Sequence, residues 1–137
     1  MGFNDDLVTH FRKHHGVITE GPFTVRDVLL LTTTGKKTGT QHTRPLVYTK
    51  DADRYLVIAS MGGAPKHPAW YHNLRANPQV TVEVGPEKFP AKAIPVPGGA
   101  ERRRLYDQHS AINPGFKDYE KKTDRVIPAV LLERLPS

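Results

Sequence analysis

The chain alternates short apolar runs with clusters of turn-forming residues, and the spacing of its apolar positions predicts most of its secondary structure. From Phe3 to His15, large side chains recur every three or four residues, which is the period of an amphipathic helix ending near Gly16. We expect this helix to dock on the core. Weak contact with an anionic membrane surface is the alternative, although Asp5 and Asp6 oppose it.

Six further segments have the length and composition of β-strands. The run from Val28 to Leu31 is apolar without alternation, which is typical of a strand buried on both faces. Because proline cannot donate to a strand ladder, Pro128 favours an edge position or a bulge for the last strand. The predicted strands cover residues 25–32, 44–49, 54–60, 80–84, 89–94 and 126–132.

Two more helices are predicted between these strands. Pro68 suits the first turn of a helix that stops at Asn77-Pro78, and the charged segment 100–112 is typical of a surface helix. The strands pair locally and parallel βαβ alternation is missing. The pattern therefore predicts a mainly β (α+β) fold, an antiparallel barrel of about six strands with helices outside, in which residues 1–137 form one domain.

Composition narrows the classes of protein to consider. The 137 residues contain no cysteine, which excludes disulfides and thiolate metal sites. The start of the chain lacks the pattern of a secretion signal, and no run approaches the roughly 20 apolar residues of a membrane span. We therefore expect a cytoplasmic protein, with contact to a membrane surface only through the first helix.

The balance of charges indicates an anionic partner. Lysine and arginine number 20 against 14 aspartate and glutamate, a formal net charge of +6. Nucleic acid, acidic lipid and a phosphorylated cofactor all fit this charge, and so does a merely basic surface. Only the placement of the charges distinguishes them.

A loop between two predicted strands, residues 32–39, carries the first candidate binding motif. Lys36 and Lys37 stand there between glycines and hydroxyl side chains, so the loop can present ammonium groups and backbone N–H groups to a phosphate. Its spacing fits neither a Walker loop nor a dinucleotide-binding fingerprint. Taken alone, a loop of this kind is more often a soluble β-turn.

The second motif, residues 60–74, is a strand end followed by a glycine turn and a helix. The two glycines after Met61 allow backbone to approach a flat ligand, while the helix N-terminus and Lys66 favour an anion nearby. Together the two motifs resemble the deazaflavin-dependent nitroreductase family, whose pattern is T-T-G-x-K-x-G, then P-L-x-Y, then S-x-G-G-x-x-x-x-P-x-W-Y-x-N-L. The matching residues are Thr33, Thr34, Gly35, Lys37, Gly39, Pro45, Leu46, Tyr48, Ser60, Gly62, Gly63, Pro68, Trp70, Tyr71, Asn73 and Leu74, with Asp118-Tyr119 and Thr123 to Pro128 near the C-terminus.

This resemblance spans about residues 28 to 133 and implies both a fold and an activity. The implied fold is a split β-barrel akin to the flavin-binding pyridoxamine-phosphate-oxidase barrels. The implied cofactor is the deazaflavin coenzyme F-420, whose phosphodiester and oligoglutamate tail account for the basic balance. The implied activity is hydride transfer between this coenzyme and a small acceptor such as a quinone, an activated enone or a nitroaromatic. Either direction of transfer is compatible with the motifs.

The resemblance also assigns roles to residues. The implied cofactor-binding residues are Lys36, Lys37, Thr38, His42 and Arg44 for the phosphate and tail, with Pro45, Ser60, Met61, Gly62, Gly63 and Trp70 for the ring. Ser60 and Tyr119 are the implied catalytic residues, Ser60 near the reacting centre and Tyr119 as a proton donor. Some relatives carry a basic residue at the position of His42. Histidine is neutral for much of its time at pH 7, so this chain has less positive charge there, for which Arg44 compensates.

Each of these roles has a structural alternative. Ser60 could simply cap a strand end, Trp70 could fill the barrel mouth, and Tyr119 could be a residue of a surface helix. Asp124 and Arg125 are interpreted as a charged pair that pins the barrel closed.

Two other functions compete with the deazaflavin hypothesis. The first is an FMN-binding split-barrel oxidoreductase. The second is a basic barrel that binds nucleic acid, which the lack of an aromatic platform on one strand face disfavours. No metal site is expected, since the sequence offers no third ligand beside His10 and His14 at the spacing of a known metal-binding motif.

Overall fold

Seven antiparallel strands form the frame of the molecule, which a computed structural model describes over residues 3–14 and 27–136. The strands are β1 (Val28–Thr34), β2 (Gln41–Val47), β3 (Thr49–Asp51), β4 (Arg54–Ile58), β5 (Gln79–Val84), β6 (Glu87–Val96) and β7 (Ala129–Arg134). The helices are α1 (Phe3–Lys13), α2 (Ala69–Ala76), α3 (Gly99–Ile112) and α4 (Gly115–Lys121), and a 3-10 turn covers Met61–Gly63.

The seven strands form one continuous, curled antiparallel sheet. They are hydrogen-bonded in the order β2-β1-β5-β6-β7-β4-β3, so β2 and β3 are the two edges. Only Tyr48 separates these edge strands along the chain, and its N–H donates to the carbonyl of Asp27 at 3.0 Å, which extends the β1–β2 register by one residue. Because two strands that are consecutive in the chain occupy opposite ends of this order, the sheet must curl, and the predicted antiparallel split barrel is confirmed. The predicted strand 44–49 was wrong as a single element, which is why the strands number seven and not six.

The last strand also differs from the prediction. It begins at Ala129 and lies between β6 and β4, so it is a central strand and the edge or bulge expected from Pro128 is wrong. Pro128 stands just before the strand, where its missing N–H breaks no ladder bond. Its carbonyl accepts a hydrogen bond from the N–H of Ala59 at 3.0 Å.

Strand β1 contributes to two apolar clusters, one on each face of the sheet. Val28 and Leu30 belong to one cluster, and Leu29 and Leu31 belong to the other, because successive side chains of a strand point to opposite faces. The prediction of a strand buried on both faces is confirmed. It is observed from Val28 to Thr34, and residues 25 and 26 of the predicted range lie outside the described residues.

Helix α1 docks on the barrel as predicted. Phe11 is buried in the core, and Arg12 forms a two-pronged ion pair with Glu83 of β5, with N–O distances of 3.1 and 2.8 Å. The helix ends at Lys13, and His15 of the predicted range lies outside the described residues. Among the described residues, none of the helices is both long and apolar enough to cross a membrane.

The C-terminal helices were the least well predicted elements. Helix α3 is more than a charged surface helix, because it buries Arg102, Leu105, Tyr106 and His109 against the barrel. Helix α4 was not predicted, since its seven residues, GFKDYEK, are too short and too charged to show a helical period. This helix carries Tyr119 to the mouth of the barrel.

Candidate active site

A cleft of about 940 Å³ opens at one end of the barrel. This volume is at the upper end of the roughly 300–1,000 Å³ that small-molecule and cofactor sites occupy. Its walls are the β1–β2 loop, edge strand β2, the end of β4, the start of α2, and α4. The lining residues are Gly35, Lys36, Lys37, Thr38, His42, Arg44, Pro45, Leu46, Val47, Ile58, Ser60, Met61, Pro68, Ala69, Trp70, His72, Asn73, Phe116 and Tyr119.

One end of the cleft is cationic. Lys36 and Lys37 are exposed on the β1–β2 loop, and within the described ranges no carboxylate lies at salt-bridge distance from either amine. His42 and Arg44 alternate along β2 and so project from the same face of the strand. The guanidinium of Arg44 donates to the backbone carbonyl of Thr43 at 3.0 Å, which leaves its charge uncompensated there. These four side chains can together bind an extended anion.

The backbone of this loop is less available than the sequence suggested. Four of its N–H groups already bond within the protein: Gly35 to the Thr40 carbonyl (2.7 Å), Lys36 to Asn73 Oδ1 (3.1 Å), Gly39 to the Gly35 carbonyl (3.0 Å) and Thr40 to Thr38 Oγ1 (3.2 Å). Because Thr38 Oγ1 accepts that bond, its own O–H remains able to donate to a ligand. An anion must therefore be held mainly by side chains.

Asn73 of α2 fixes the position of the loop. Its side chain is buried, its Oδ1 accepts from the N–H of Lys36, and its Nδ2 donates to Thr33 Oγ1 at 3.3 Å. One amide thus ties α2 to both β1 and the lysine loop. Asn73 was noted only as part of the motif, and its role could not be read from spacing because both partners are distant in sequence.

The opposite end of the cleft is apolar. Its walls include Pro45 and Val47 from β2, Ile58 from β4, and Phe116 from α4. Trp70 is compatible with both roles considered for it, contact with the ring and filling of the barrel mouth. It is only 8% exposed and packs in a core cluster, and it also lines the cleft. A flat ring with a charged tail matches this division into an apolar end and a cationic end.

Ser60 lies where β4 gives way to the Met61–Gly63 turn. It is buried and lines the cleft, and its hydroxyl makes no capping hydrogen bond, so the strand-end cap considered for it is not formed. Met61 follows with a positive φ of 48° and a side chain that is 54% exposed. The turn therefore presents one hydroxyl and one flexible apolar side chain to the cleft.

Gly63 of this turn is buried and is not among the described residues that line the cleft. At Gly63, where φ is +84°, an added Cβ would lie 2.9 Å from both the Tyr119 carbonyl and the Lys122 Cβ. Gly63 therefore allows close contact between the turn and α4. The proposed cofactor contacts of Gly62 and Gly63 stay predictions.

Tyr119 is half-buried at the mouth of the cleft, in place of the surface position considered for it. Its ring packs on the ring of Phe116, with centroids 5.2 Å apart, and the Lys122 ammonium lies 5.7 Å from its centroid. Phe116 and His72 also line the cleft and were missed, because neither belongs to a recognisable pattern in sequence.

The interpretation of Asp124 and Arg125 as a pair is wrong. No salt bridge joins their side chains in the part of the chain that the structure describes, and Arg125 instead donates to the carbonyls of Ala59, Ser60 and Ala64. Arg125 thus contacts the backbone of the turn that carries Ser60.

Known proteins resemble this chain over nearly its whole length. Residues 6–134 match the family model described as F420H(2)-dependent quinone reductase. An F420H(2)-dependent quinone reductase of Mycobacterium tuberculosis is 45% identical over 108 residues, 77% of this chain and 72% of the relative. A solved F420-H2 dependent reductase is 38% identical with a TM-score of 0.71, covering 79% of this chain and 95% of that one. Another solved structure, described as a domain-swapped dimer, is 33% identical with a TM-score of 0.73, covering 94% of this chain and 93% of that one.

Proposed function

Because the chain belongs to the F420H(2)-dependent quinone reductase family, we propose that it binds the reduced deazaflavin coenzyme and uses it to reduce a quinone. The observation that carries this proposal is a single cleft that joins a cationic end to an apolar end. Activated enones and nitroaromatics are further acceptors, since each develops negative charge on an oxygen that the same donors can stabilise.

The residues of the cleft fit the coenzyme. Its phosphodiester and oligoglutamate tail would lie against Lys36, Lys37, His42 and Arg44, with the Thr38 hydroxyl as a further donor. Its ring would lie at the apolar end, in contact with Pro45, Val47, Met61 and Trp70. Lysine ammonium groups are point charges, so the lysine loop gives attraction with less geometric selectivity than an arginine fork would.

When bound, the reduced coenzyme supplies the hydride, and the chain's own residues supply position and charge stabilisation. Pro45, Trp70 and Phe116 line the ring end of the cleft, and with the ring bound they would exclude water from it. The Ser60 hydroxyl donates a hydrogen bond to the acceptor oxygen on which negative charge develops. The Tyr119 hydroxyl, at the mouth, gives that oxygen a proton.

Titration with oxidised F-420 and, in parallel, with FMN tests the cofactor assignment. We expect F-420 to bind and the double variant Lys36→Ala/Lys37→Ala to lose at least about tenfold in affinity, because two ammonium contacts are removed. The matched control is Lys88→Ala/Lys92→Ala, two exposed lysines of β6 outside the cleft.

Each outcome separates the competing functions. Tighter binding of FMN than of F-420 would favour the FMN barrel, and equal losses in the two double variants would show that only net charge matters. Binding of a labelled oligonucleotide in place of either cofactor would favour the nucleic-acid barrel.

A further inference from the structure

The guanidinium of Arg125 forms a set of hydrogen bonds with the turn after β4, which the sequence did not predict. Its Nε donates to the Ala64 carbonyl at 2.8 Å, and its Nη2 donates to the carbonyls of Ser60 (2.8 Å) and Ala59 (3.2 Å). Its Nη1 lies 2.9 Å from His67 Nδ1. A guanidinium can only donate, so His67 Nδ1 must be the acceptor, and the neutral ring carries its proton on Nε2.

The turn that Arg125 holds has a costly conformation. Met61 adopts a positive φ of 48°, in the left-handed region that non-glycine residues avoid at a cost of roughly 1–2 kcal/mol. Two internal hydrogen bonds support it, from the Gly63 N–H to the Ser60 carbonyl and from the Ala64 N–H to the Met61 carbonyl. Such a conformation persists only when its surroundings fix it.

We propose that Arg125 and His67 form a clamp that holds the 60–64 turn in the geometry needed to receive the coenzyme ring and the acceptor. Arg125 bonds the backbone on both sides of Met61, and His67 accepts the remaining guanidinium proton. Both are positioning residues, since neither lines the cleft. The proposal rests on the proposed function, because it assigns the clamped turn to that cleft.

The clamp is sensitive to pH. A second proton on His67 would place an N–H, on a charged ring, against the guanidinium of Arg125, and the hydrogen bond between them would be lost. The other groups facing His67 are Tyr71, His72 and Arg75, all from α2. Burial, followed by the charges of Arg125, His72 and Arg75, lowers the pKa of His67. The clamp is therefore intact at neutral pH and opens as the pH falls below the ordinary histidine value of about 6.5.

The test compares wild type with His67→Asn, whose amide oxygen can accept from Arg125 and cannot titrate. The coenzyme dissociation constant is measured by equilibrium dialysis from about pH 7.5 to about pH 5. At about pH 7.5 we expect the two proteins to bind the coenzyme equally well. At about pH 5 we expect wild type to bind it about tenfold more weakly than His67→Asn does. The coenzyme is the same in both titrations, so its own pH dependence cancels in the ratio of the two affinities. A ratio that stays constant with pH would overturn the clamp.

A second pair of variants tests Arg125 directly. Arg125→Lys keeps the charge but cannot reach four acceptors, so we expect at least about a tenfold loss of affinity and a lower kcat. The control is Arg54→Ala, which removes another partly buried arginine, ion-paired with Asp51 on the β3–β4 hairpin away from the cleft. Unchanged affinity in a folded Arg125→Lys protein would refute the clamp. Absence of binding by the wild type would instead refute the proposed function.

Discussion

Ser60 uses its backbone to hold the turn and leaves its hydroxyl free to donate a hydrogen bond in the cleft. Its carbonyl is used twice, by the Gly63 N–H and by Arg125, whereas its side chain faces the cleft without a capping bond. A buried hydroxyl that the fold does not need for capping is available to the reacting oxygen. This separation between a structural backbone and a free side chain makes Ser60 suitable for substitution.

We predict that Ser60→Ala lowers kcat with little change in coenzyme affinity or stability. Loss of one positioned donor to a developing negative charge should reduce kcat by about ten- to a hundredfold. The measurement is steady-state quinone reduction together with a coenzyme titration. Ser110→Ala, which removes a buried hydroxyl bonded to the Tyr106 carbonyl away from the cleft, is the control. A normal kcat in Ser60→Ala would exclude Ser60 from the chemistry.

Most of the predicted site residues line the cleft, because glycines in turns and charged side chains form motifs that can be recognised in the sequence. Lys36, Lys37 and Ser60 were found from the motifs that contain them, and all three line one cleft. Arg125 was assigned to the wrong partner, because its true acceptors are backbone carbonyls about 60 residues away, and carbonyls leave no mark in a sequence.

Among the elements, α2 and the β1–β2 loop act as one unit through Asn73. Helix α2 also contacts β1 directly, so the amide lies between two surfaces that are already packed. Residues 36–40 of the loop are exposed and none of them is apolar, so the bond to Asn73 anchors the loop on the helix.

We predict that Asn73→Leu destabilises the fold and weakens coenzyme binding together. Losing the bonds to the partly buried Lys36 N–H and the buried Thr33 Oγ1 should cost about 1–3 kcal/mol of unfolding free energy, since both groups lose their partner. Urea denaturation and coenzyme titration measure the two effects. The control is Asn77→Leu, an exposed asparagine that follows the same helix and whose amide makes only a long, exposed contact of 3.5 Å with the Thr34 carbonyl. Lost stability with unchanged affinity would show that Asn73 does not orient the lysines.

Elements with a strong period were predicted well, and the others were not. Apolar runs identified β1 and β5, and Pro68 identified the start of α2. Helix α4 was missed because its order comes from contacts with the Met61–Gly63 turn and with α3, which are tertiary and not periodic. The break at Tyr48 was missed for the same reason.

At the scale of the whole molecule, α3 covers the barrel and buries a histidine. His109 is completely buried, Nδ1 is 2.9 Å from Thr49 Oγ1, Nε2 has no hydrogen-bond partner within the described residues, and the ring packs edge-on against Phe116. Burial lowers the pKa of His109 to about 4. The folded state therefore holds this ring neutral across the physiological range.

This burial predicts a loss of stability in acid. Between about pH 6.5 and pH 4, the unfolded chain takes up a proton on His109 and the folded chain does not, so stability falls as the pH falls, by at most ~3 kcal/mol. Above that range the group contributes no pH dependence. His109→Gln should flatten this part of the profile in urea denaturation, whereas His72→Gln, at an exposed position, should not. Parallel profiles for wild type and His109→Gln would contradict the assignment.

The barrel as a whole brings the distant motifs together. The curled sheet places the lysine loop, the Ser60 turn and α4 around one cleft, although these segments are spread over residues 35–121. The expectations of one domain and of a cytoplasmic location stay predictions.

The most direct test of quinone reductase activity is to follow the oxidation of reduced F-420 by a soluble quinone. The absorbance of the oxidised coenzyme returns as the reaction proceeds. We predict that wild type accelerates this oxidation, that the rate saturates with both coenzyme and quinone, and that Ser60→Ala is slower at saturation. If the protein binds the reduced coenzyme tightly and the quinone still oxidises it no faster than in buffer, the chain is not a quinone reductase.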